Sequence, residues 1–349
     1  MMEIFEGSKT TALDDAVWRP ARIQTRARLE DVIPLTTPYQ LVMDVTNLCS
    51  FACSFCPTGH PDLLKSVGRP SGMMDYELYC KIIDDMKAFP EKLKRVDFGK
   101  DGEQLLHPRL PDMIRYLKDA DVTDLIGIAT NAQRLTPEMS DALVGAGLDL
   151  LKVSVEAVSD EGYREITKRR FDYEQLVERV AYLFEHRQQC KVYAKIIDYG
   201  LSDEQKLKFY DDFSSISDYI TIDYVSGWSV TSAVDLKQGY EHDRYLDLPT
   251  KNKKDVCPFP FYTLSINFNG TVSICCVDWS WSTLVGDLRE ESLKDLWNGD
   301  RLFQFRKMHL LKAGYDNKAC RECDARDGLP DNIDAHADEI LSRLIAIRS

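Results

Sequence analysis

Ten cysteines lie in this chain of 349 residues, and seven of them fall into two groups with the spacing of metal ligands. The first group is Cys49, Cys53 and Cys56, within Asp44-Val45-Thr46-Asn47-Leu48-Cys49-Ser50-Phe51-Ala52-Cys53-Ser54-Phe55-Cys56-Pro57. Three thiolates hold three irons of a [4Fe–4S] cluster and leave the fourth iron open to another ligand. The competing readings are a zinc site completed by His60, or ordinary buried cysteines. The second group is Cys257, Cys275 and the pair in Cys320-Arg321-Glu322-Cys323. Four thiolates close every iron of a cluster, which suits electron relay; by spacing alone a structural zinc ribbon fits equally well. Of the remaining three, Cys80 on a helical run and Cys190 at the start of a strand read as packing. Cys276 adjoins Cys275 and precedes Asp278. It reads as an inert thiol, a substitute ligand, or a hydrogen-atom donor to a substrate radical.

The elements that must position these groups alternate. Strand-like runs at Tyr39–Val45, Arg95–Phe98, Asp124–Ala129, Leu150–Val155, Lys191–Ile197 and Tyr219–Val225 are separated by helical runs. The helical runs are Asp75–Phe89, Pro111–Lys118, Pro137–Val144, Tyr173–Phe184 and Asp203–Phe213. Six strands alternating with helices predict an α/β fold with a parallel sheet and right-handed crossovers. The first cysteine group then sits at the C-terminal end of the first strand, the edge where α/β folds gather their sites. Residues 1–38 read as an N-terminal arm, 39–235 as the core, and the polar, lysine-rich 236–256 as a linker. Residues 257–349 read as a small C-terminal domain. There, Tyr262–Asn267 and Thr271–Cys275 flank Asn269-Gly270 as a β-hairpin that brings Cys257 and Cys275 together. Leu293–Trp297 and Leu302–His309 read as helices, and a further helix closes the chain.

Net charge is −13 and hydrophobic residues make up 44% of the chain. The first disfavours a nucleic-acid binder, which needs a basic face; the second is enough for a large core. No apolar run is long enough to span a membrane, and the first residues lack the pattern of a secretory signal. The expectation is a cytoplasmic protein whose clustered cysteines are ligands, not disulfides.

Cys-x3-Cys-x-Phe-Cys after an early strand resembles the radical S-adenosylmethionine (SAM) superfamily, whose fold is a partial (β/α)6 TIM-like barrel. The resemblance implies that Cys49, Cys53 and Cys56 ligate a [4Fe–4S] cluster whose open iron is chelated by SAM. It places Phe55 beside the adenine. Lys100-Asp101-Gly102-Glu103 stands where the family carries a Gly-Gly-Glu-like turn, with Asp101 replacing the first glycine; Gly102 and Glu103 would meet the SAM amino group. Thr130-Asn131 is similar to the family's turn near the ribose, and Ser154 to the position that contacts the SAM carboxylate. The order Cys257-x12-Gly270-x4-Cys275, a gap, then Cys320-x2-Cys323 resembles the C-terminal extension called SPASM, in its shorter twitch form. That implies one auxiliary [4Fe–4S] cluster on Cys257, Cys275, Cys320 and Cys323. Two [4Fe–4S] clusters and SAM are thus the implied cofactors, and a flavodoxin- or ferredoxin-type protein the implied electron donor. In such enzymes the reduced cluster breaks a C–S bond of SAM, and the resulting 5′-deoxyadenosyl radical takes hydrogen from an unactivated C–H bond.

Pocket candidates come from strand ends: Lys195 as base or substrate-binding group, with Glu156 and Asp198, and Cys276 as hydrogen donor. Asp101, His107, Tyr224, Trp228, Trp279 and Trp281 are further candidates. The resemblance implies a small polar substrate, a sugar, aminocyclitol or nucleoside, undergoing dehydrogenation or epimerisation. A peptide-modifying maturase is the alternative, weakened by the short stretch before the first strand. A non-enzymatic zinc or iron–sulfur scaffold is a third reading.

Overall fold

The computed structural model describes residues 27–224, 228, 236, 244–245, 248–249, 253–321, 323 and 325–348. Six strands pair in parallel in chain order: β1 (Gln40–Met43), β2 (Arg95–Phe98), β3 (Ile126–Thr130), β4 (Leu150–Val155), β5 (Lys191–Asp198) and β6 (Tyr219–Tyr224). The helices between them begin where the sequence supplies a cap. Asp75, Thr136, Asp172 and Ser202 each accept backbone N–H bonds at the start of Tyr76–Met86, Pro137–Gly145, Tyr173–His186 and Asp203–Phe213. The first helix buries Tyr79, Ile82, Ile83 and Met86, the stripe that a 3.6-residue period places on one face.

Period-two alternation sorts the strand residues onto two faces. Leu41, Val96, Phe98, Ile128, Leu151, Val153, Val192, Ala194 and Ile196 are buried in the main core beneath the helices. The inner face of this partial barrel carries Gln40, Arg95, Asp97, Lys152, Ser154, Tyr193, Lys195, Thr221 and Asp223, an unusually polar set for a barrel interior.

The C-terminal hairpin does not form a separate unit. β9 (Thr263–Ile266) pairs in parallel with β1, Gln40 opposite Thr263 and Met43 opposite Ile266. β10 (Thr271–Ser273) and β11 (Leu284–Asp287) continue antiparallel. The result is one nine-stranded sheet, β11-β10-β9-β1-β2-β3-β4-β5-β6. The free edge of β1 is covered, which removes a row of unpaired backbone groups. The expected linker 236–256 also holds structure: β7 (Arg244–Tyr245) and β8 (Leu248–Pro249) form a short antiparallel pair. Strands of two residues leave no alternation to read. The rest of that segment between 237 and 252, and residues 1–26 of the expected arm, lie outside the described residues.

A second apolar cluster ties the chain ends together. Leu29 and Ile33 pack with Val256, Phe261, Leu310, Ile340 and Leu344 of the C-terminal helix Ala337–Ala346. Beside it, fully buried Trp297 donates its indole N–H to the Leu35 carbonyl at 2.9 Å and lies under the Arg306 guanidinium. Trp297→Ala is expected to cost about 3–5 kcal/mol, read as a lower urea midpoint of the apo chain with near-unchanged helical circular dichroism in the absence of denaturant.

Candidate active site

The loop after β1 is shaped by close backbone approaches. Gly102 has φ +75°, and a Cβ there would stand 2.6 Å from the Asn47 carbonyl carbon and the Leu48 oxygen. Gly59 is equally committed, since its Cβ would meet the Cys53 oxygen at 2.4 Å. The turn after β2 therefore lies directly on the loop bearing Cys49, and Glu103 N–H donates to the Leu48 carbonyl at 2.7 Å. Glu103, the predicted acceptor, is buried. Its carboxylate takes hydrogen bonds from the Thr130 hydroxyl (2.7 Å), Asn131 N–H (2.6 Å) and Leu105 N–H (3.0 Å). Burial pushes its pKa up, while these donors oppose the rise. The Asn131 amide in turn donates to the Ser50 hydroxyl between the cysteines. Gly102, Glu103, Thr130 and Asn131 thus stand together around the first cysteine loop.

Cys49, Cys53 and Cys56 interact electrostatically with one another and with Glu156. Burial raises the Cys49 thiol to about 12 and Cys56 to about 11; thiolates here need a bound cation. His60, the zinc alternative, spends its Nε2 on the Ser54 carbonyl at 2.8 Å. Phe55 is buried edge-on to Tyr199, and Trp228 donates its indole N–H to the Phe55 carbonyl. His107 is committed to the Met74 carbonyl.

An ionic knot that the sequence reading missed joins this loop to the C-terminal hairpin. Asp44 accepts from both Lys100 and Asp101 N–H at 2.8 and 2.9 Å, and burial with Asp101 beside it raises its pKa to about 8. Asp101 pairs with Arg69 at 2.7 Å, and the same guanidinium group reaches the Trp279 carbonyl at 2.8 Å. Lys100, fully buried at its side chain, donates to Asn267 on the hairpin turn. The Cys276 thiol is hydrogen-bonded to the Cys275 thiol, which with the nearby Lys100 ammonium holds its pKa below the usual value, and Cys276 is absent from the lining of the cavity described below. Trp279 is buried against Leu63 and Leu236, and Trp281 lies near Phe268.

The other pocket candidates divide. Ser154 is opposite Lys195 in the sheet register, on the inner face. Lys195 stands 3.7 Å from Asp223 and interacts with Glu156, whose pKa burial raises to about 7. Asp198 is a correction. It has the opposite parity to Lys195 in β5, pairs with Lys206 at 2.8 Å and accepts the Leu201 N–H, so it anchors the following turn on the helix side. The Tyr224 side chain lies outside the described residues.

Cys257, Cys275, Cys320 and Cys323 line one cavity of about 470 Å³, counting the space open to solvent. Phe259, Ile274, Phe305, His309 and Arg326 complete its walls. Cys257 precedes β9 and Cys275 follows β10, so this cavity lies toward the N-terminal end of β1 while the first group lies beyond its C-terminal end. Among the described residues, no three His, Cys, Asp or Glu side chains stand close enough to hold a single metal ion. The four thiols share a cavity with room for a group the size of an iron–sulfur cluster. Cys80 and Cys190 belong to the main core, as expected.

Comparison with known proteins agrees with this arrangement. Residues 43–212 match the radical SAM superfamily model, and residues 257–324 match the SPASM model, an iron–sulfur cluster-binding domain. The chain is 25% identical to the tungsten-containing aldehyde ferredoxin oxidoreductase cofactor-modifying protein of Pyrococcus furiosus, covering 82% of this chain and 87% of that protein. It is 22% identical to the SAM-dependent 2-deoxy-scyllo-inosamine dehydrogenase of Niallia circulans, over 80% and 90% of the two chains. The fold resembles Streptococcus suis SuiB bound to its precursor peptide SuiA, with TM-score 0.62, 15% identity and coverage of 79% and 68%. The chain carries a radical SAM domain followed by a C-terminal SPASM domain. Its cofactors are SAM and [4Fe–4S] clusters. No described helix is long and apolar enough to cross a membrane.

Gly102→Ala is expected to strain the turn by about 1–3 kcal/mol and to push the cysteine loop away. Iron analysis and the SAM-dependent change in the cluster's electron paramagnetic resonance (EPR) spectrum would show this as loss of the first cluster's signal.

Proposed function

We propose that this enzyme oxidises a small polar substrate at a carbon bearing a hydroxyl or amino group, with Cys49, Cys53 and Cys56 holding the SAM-binding cluster and Cys257, Cys275, Cys320 and Cys323 an auxiliary one. The observation that carries the reading is the inner face itself. Lys152, Lys195, Asp97, Asp223, Tyr193 and Thr221 give the inner face of β2, β4, β5 and β6 hydrogen-bonding and charged side chains, where a barrel interior is ordinarily apolar. Such a wall suits a polyhydroxylated or amino-bearing molecule. The 2-deoxy-scyllo-inosamine dehydrogenase likeness supports the same class.

SAM and its cluster, when bound, supply the hydrogen-abstracting radical. Gly102 lets the turn approach, and Glu103, held by Thr130 and Asn131, presents a carboxylate for the SAM ammonium; Phe55 and Ser154 bound the rest of that cofactor. Glu156 follows β4, and Lys195, in β5 opposite Ser154, is close enough to interact with it electrostatically. A carboxyl group raised to about 7 is suited to take the proton that the substrate loses, and Lys195 to hold the substrate oxygen. Cys257, Cys275, Cys320 and Cys323 would hold the auxiliary cluster, which when bound would supply an acceptor for the remaining electron. Epimerisation is the second reading, favoured by Cys276, a thiol beside Cys275 that is not among the four lining the C-terminal cavity.

Anaerobic turnover of sugars and aminocyclitols in D2O, with 5′-deoxyadenosine and product mass read together, separates these readings. Dehydrogenation gives a product lighter by two hydrogens; epimerisation gives one deuterium at carbon. If neither small-molecule class is consumed and a peptide is, the proposal fails. Cys49→Ala is expected to abolish SAM cleavage, and Cys276→Ala to spare a dehydrogenase but stop an epimerase. Glu156→Gln is expected to cut product formation about 10²-fold or more while 5′-deoxyadenosine still forms.

A further inference from the structure

The wall of the C-terminal cavity holds a cation that the ligand set does not account for. Arg326 is 5% exposed and lines the cavity together with Cys257, Cys275, Cys320 and Cys323. Its Nε and Nη1 atoms are buried and make no hydrogen bond among the described residues. Among the described residues the carboxylate paired with it is Asp327, 3.7 Å from Nε and beyond hydrogen-bond length. The guanidinium plane lies on the Tyr315 ring at 4.1 Å, which fixes its attitude without satisfying its donors. A buried guanidinium with unused N–H groups is costly unless something in the cavity accepts them. The other polar groups of the wall are already engaged. The Asp278 carboxylate takes bonds from Ser280 and Thr283, and His309 lies 3.7 Å from the Cys320 sulfur.

We propose that Arg326 donates to the sulfur atoms of the auxiliary cluster and raises its reduction potential. This rests on the reading that the four thiols hold that cluster. When the cluster accepts one electron it gains one negative charge. A fixed positive charge with N–H donors at its surface stabilises that state more than the oxidised one. The effect makes the auxiliary cluster a better acceptor for the electron left on a substrate radical. Asp327 acts against it, because its negative charge partly cancels the guanidinium. Arg326 is thus a positioning and tuning residue, not a ligand.

The test is an anaerobic redox titration followed by EPR on the reconstituted full-length enzyme, with iron and zinc counted in each sample. Added SAM perturbs the signal of the SAM-binding cluster and leaves the auxiliary signal, which identifies the latter. Arg326→Gln is expected to lower the auxiliary midpoint potential, and Arg326→Lys to lower it less. Asp327→Asn keeps the oxygen that accepts the Lys254 N–H and is expected to raise it. Shifts of opposite sign are what a merely structural role would not produce. Fully iron-loaded variants that titrate with the parent overturn the proposal. If Arg326→Gln loses the auxiliary iron, Asp327→Asn decides, and no upward shift there overturns it. A parent enzyme with only about four irons, or with zinc, refutes the underlying cluster assignment instead.

Discussion

The structure depends on the parallel pairing of β1 with β9. β1 leads at its C-terminal end into the loop of Cys49, Cys53 and Cys56, and its N-terminal end meets the segment following Cys257 through the Tyr39 and Gln40 N–H bonds to the Tyr262 carbonyl. A single four-residue strand, about 13 Å long at 3.3 Å per residue, is therefore the ruler between the two cysteine groups. Without β9 that strand would be an open edge, and the C-terminal thiols would have no fixed relation to the barrel.

The ionic knot of Asp44, Asp101, Lys100 and Arg69 works beside this pairing. Two acids and two bases, nearly all removed from water, are expensive to bury and are tolerated because each is partnered. What the arrangement contributes is geometry. Arg69 holds the Trp279 carbonyl and Lys100 holds Asn267, so the turn carrying Glu103 and the hairpin carrying Cys275 are fastened to the same point. The replacement of a glycine by Asp101 in the family's turn has its explanation here, since the carboxylate closes the pair with Arg69.

Much of this was legible beforehand. The βα alternation could be read because most of these helices have a capping residue and an apolar stripe, and each inner strand a hydrophobic face; Leu150–Val155 and Asp203–Phe213 coincide with the reading residue for residue. The grouping of Gly102, Glu103 and Asn131, proposed here to bound SAM, could be read because they follow consecutive strands. Partners that depend on side-chain direction could not be read. Asp198 and Lys195 differ by three positions in one strand, and only the pairing register separates the face toward the pocket from the face toward the helices. Arg69, Lys100 and Arg326 carried no motif, and nothing in a linear spacing announces that a guanidinium will be buried beside thiols. The union of the hairpin with β1 was hidden for the same reason, because 219 residues of chain intervene between the end of β1 at Met43 and the start of β9 at Thr263.

The Lys100–Asn267 contact bears on how such enzymes can be recombined. A C-terminal extension grafted from a relative onto this barrel would bring a different residue to the hairpin turn, and the ammonium of Lys100 would lose its acceptor in the interior. The graft boundary is therefore set by a lysine in the recipient as much as by the loop in the donor. Chimeras cut between residues 236 and 256 would need the hairpin turn and the β2 turn exchanged as a pair.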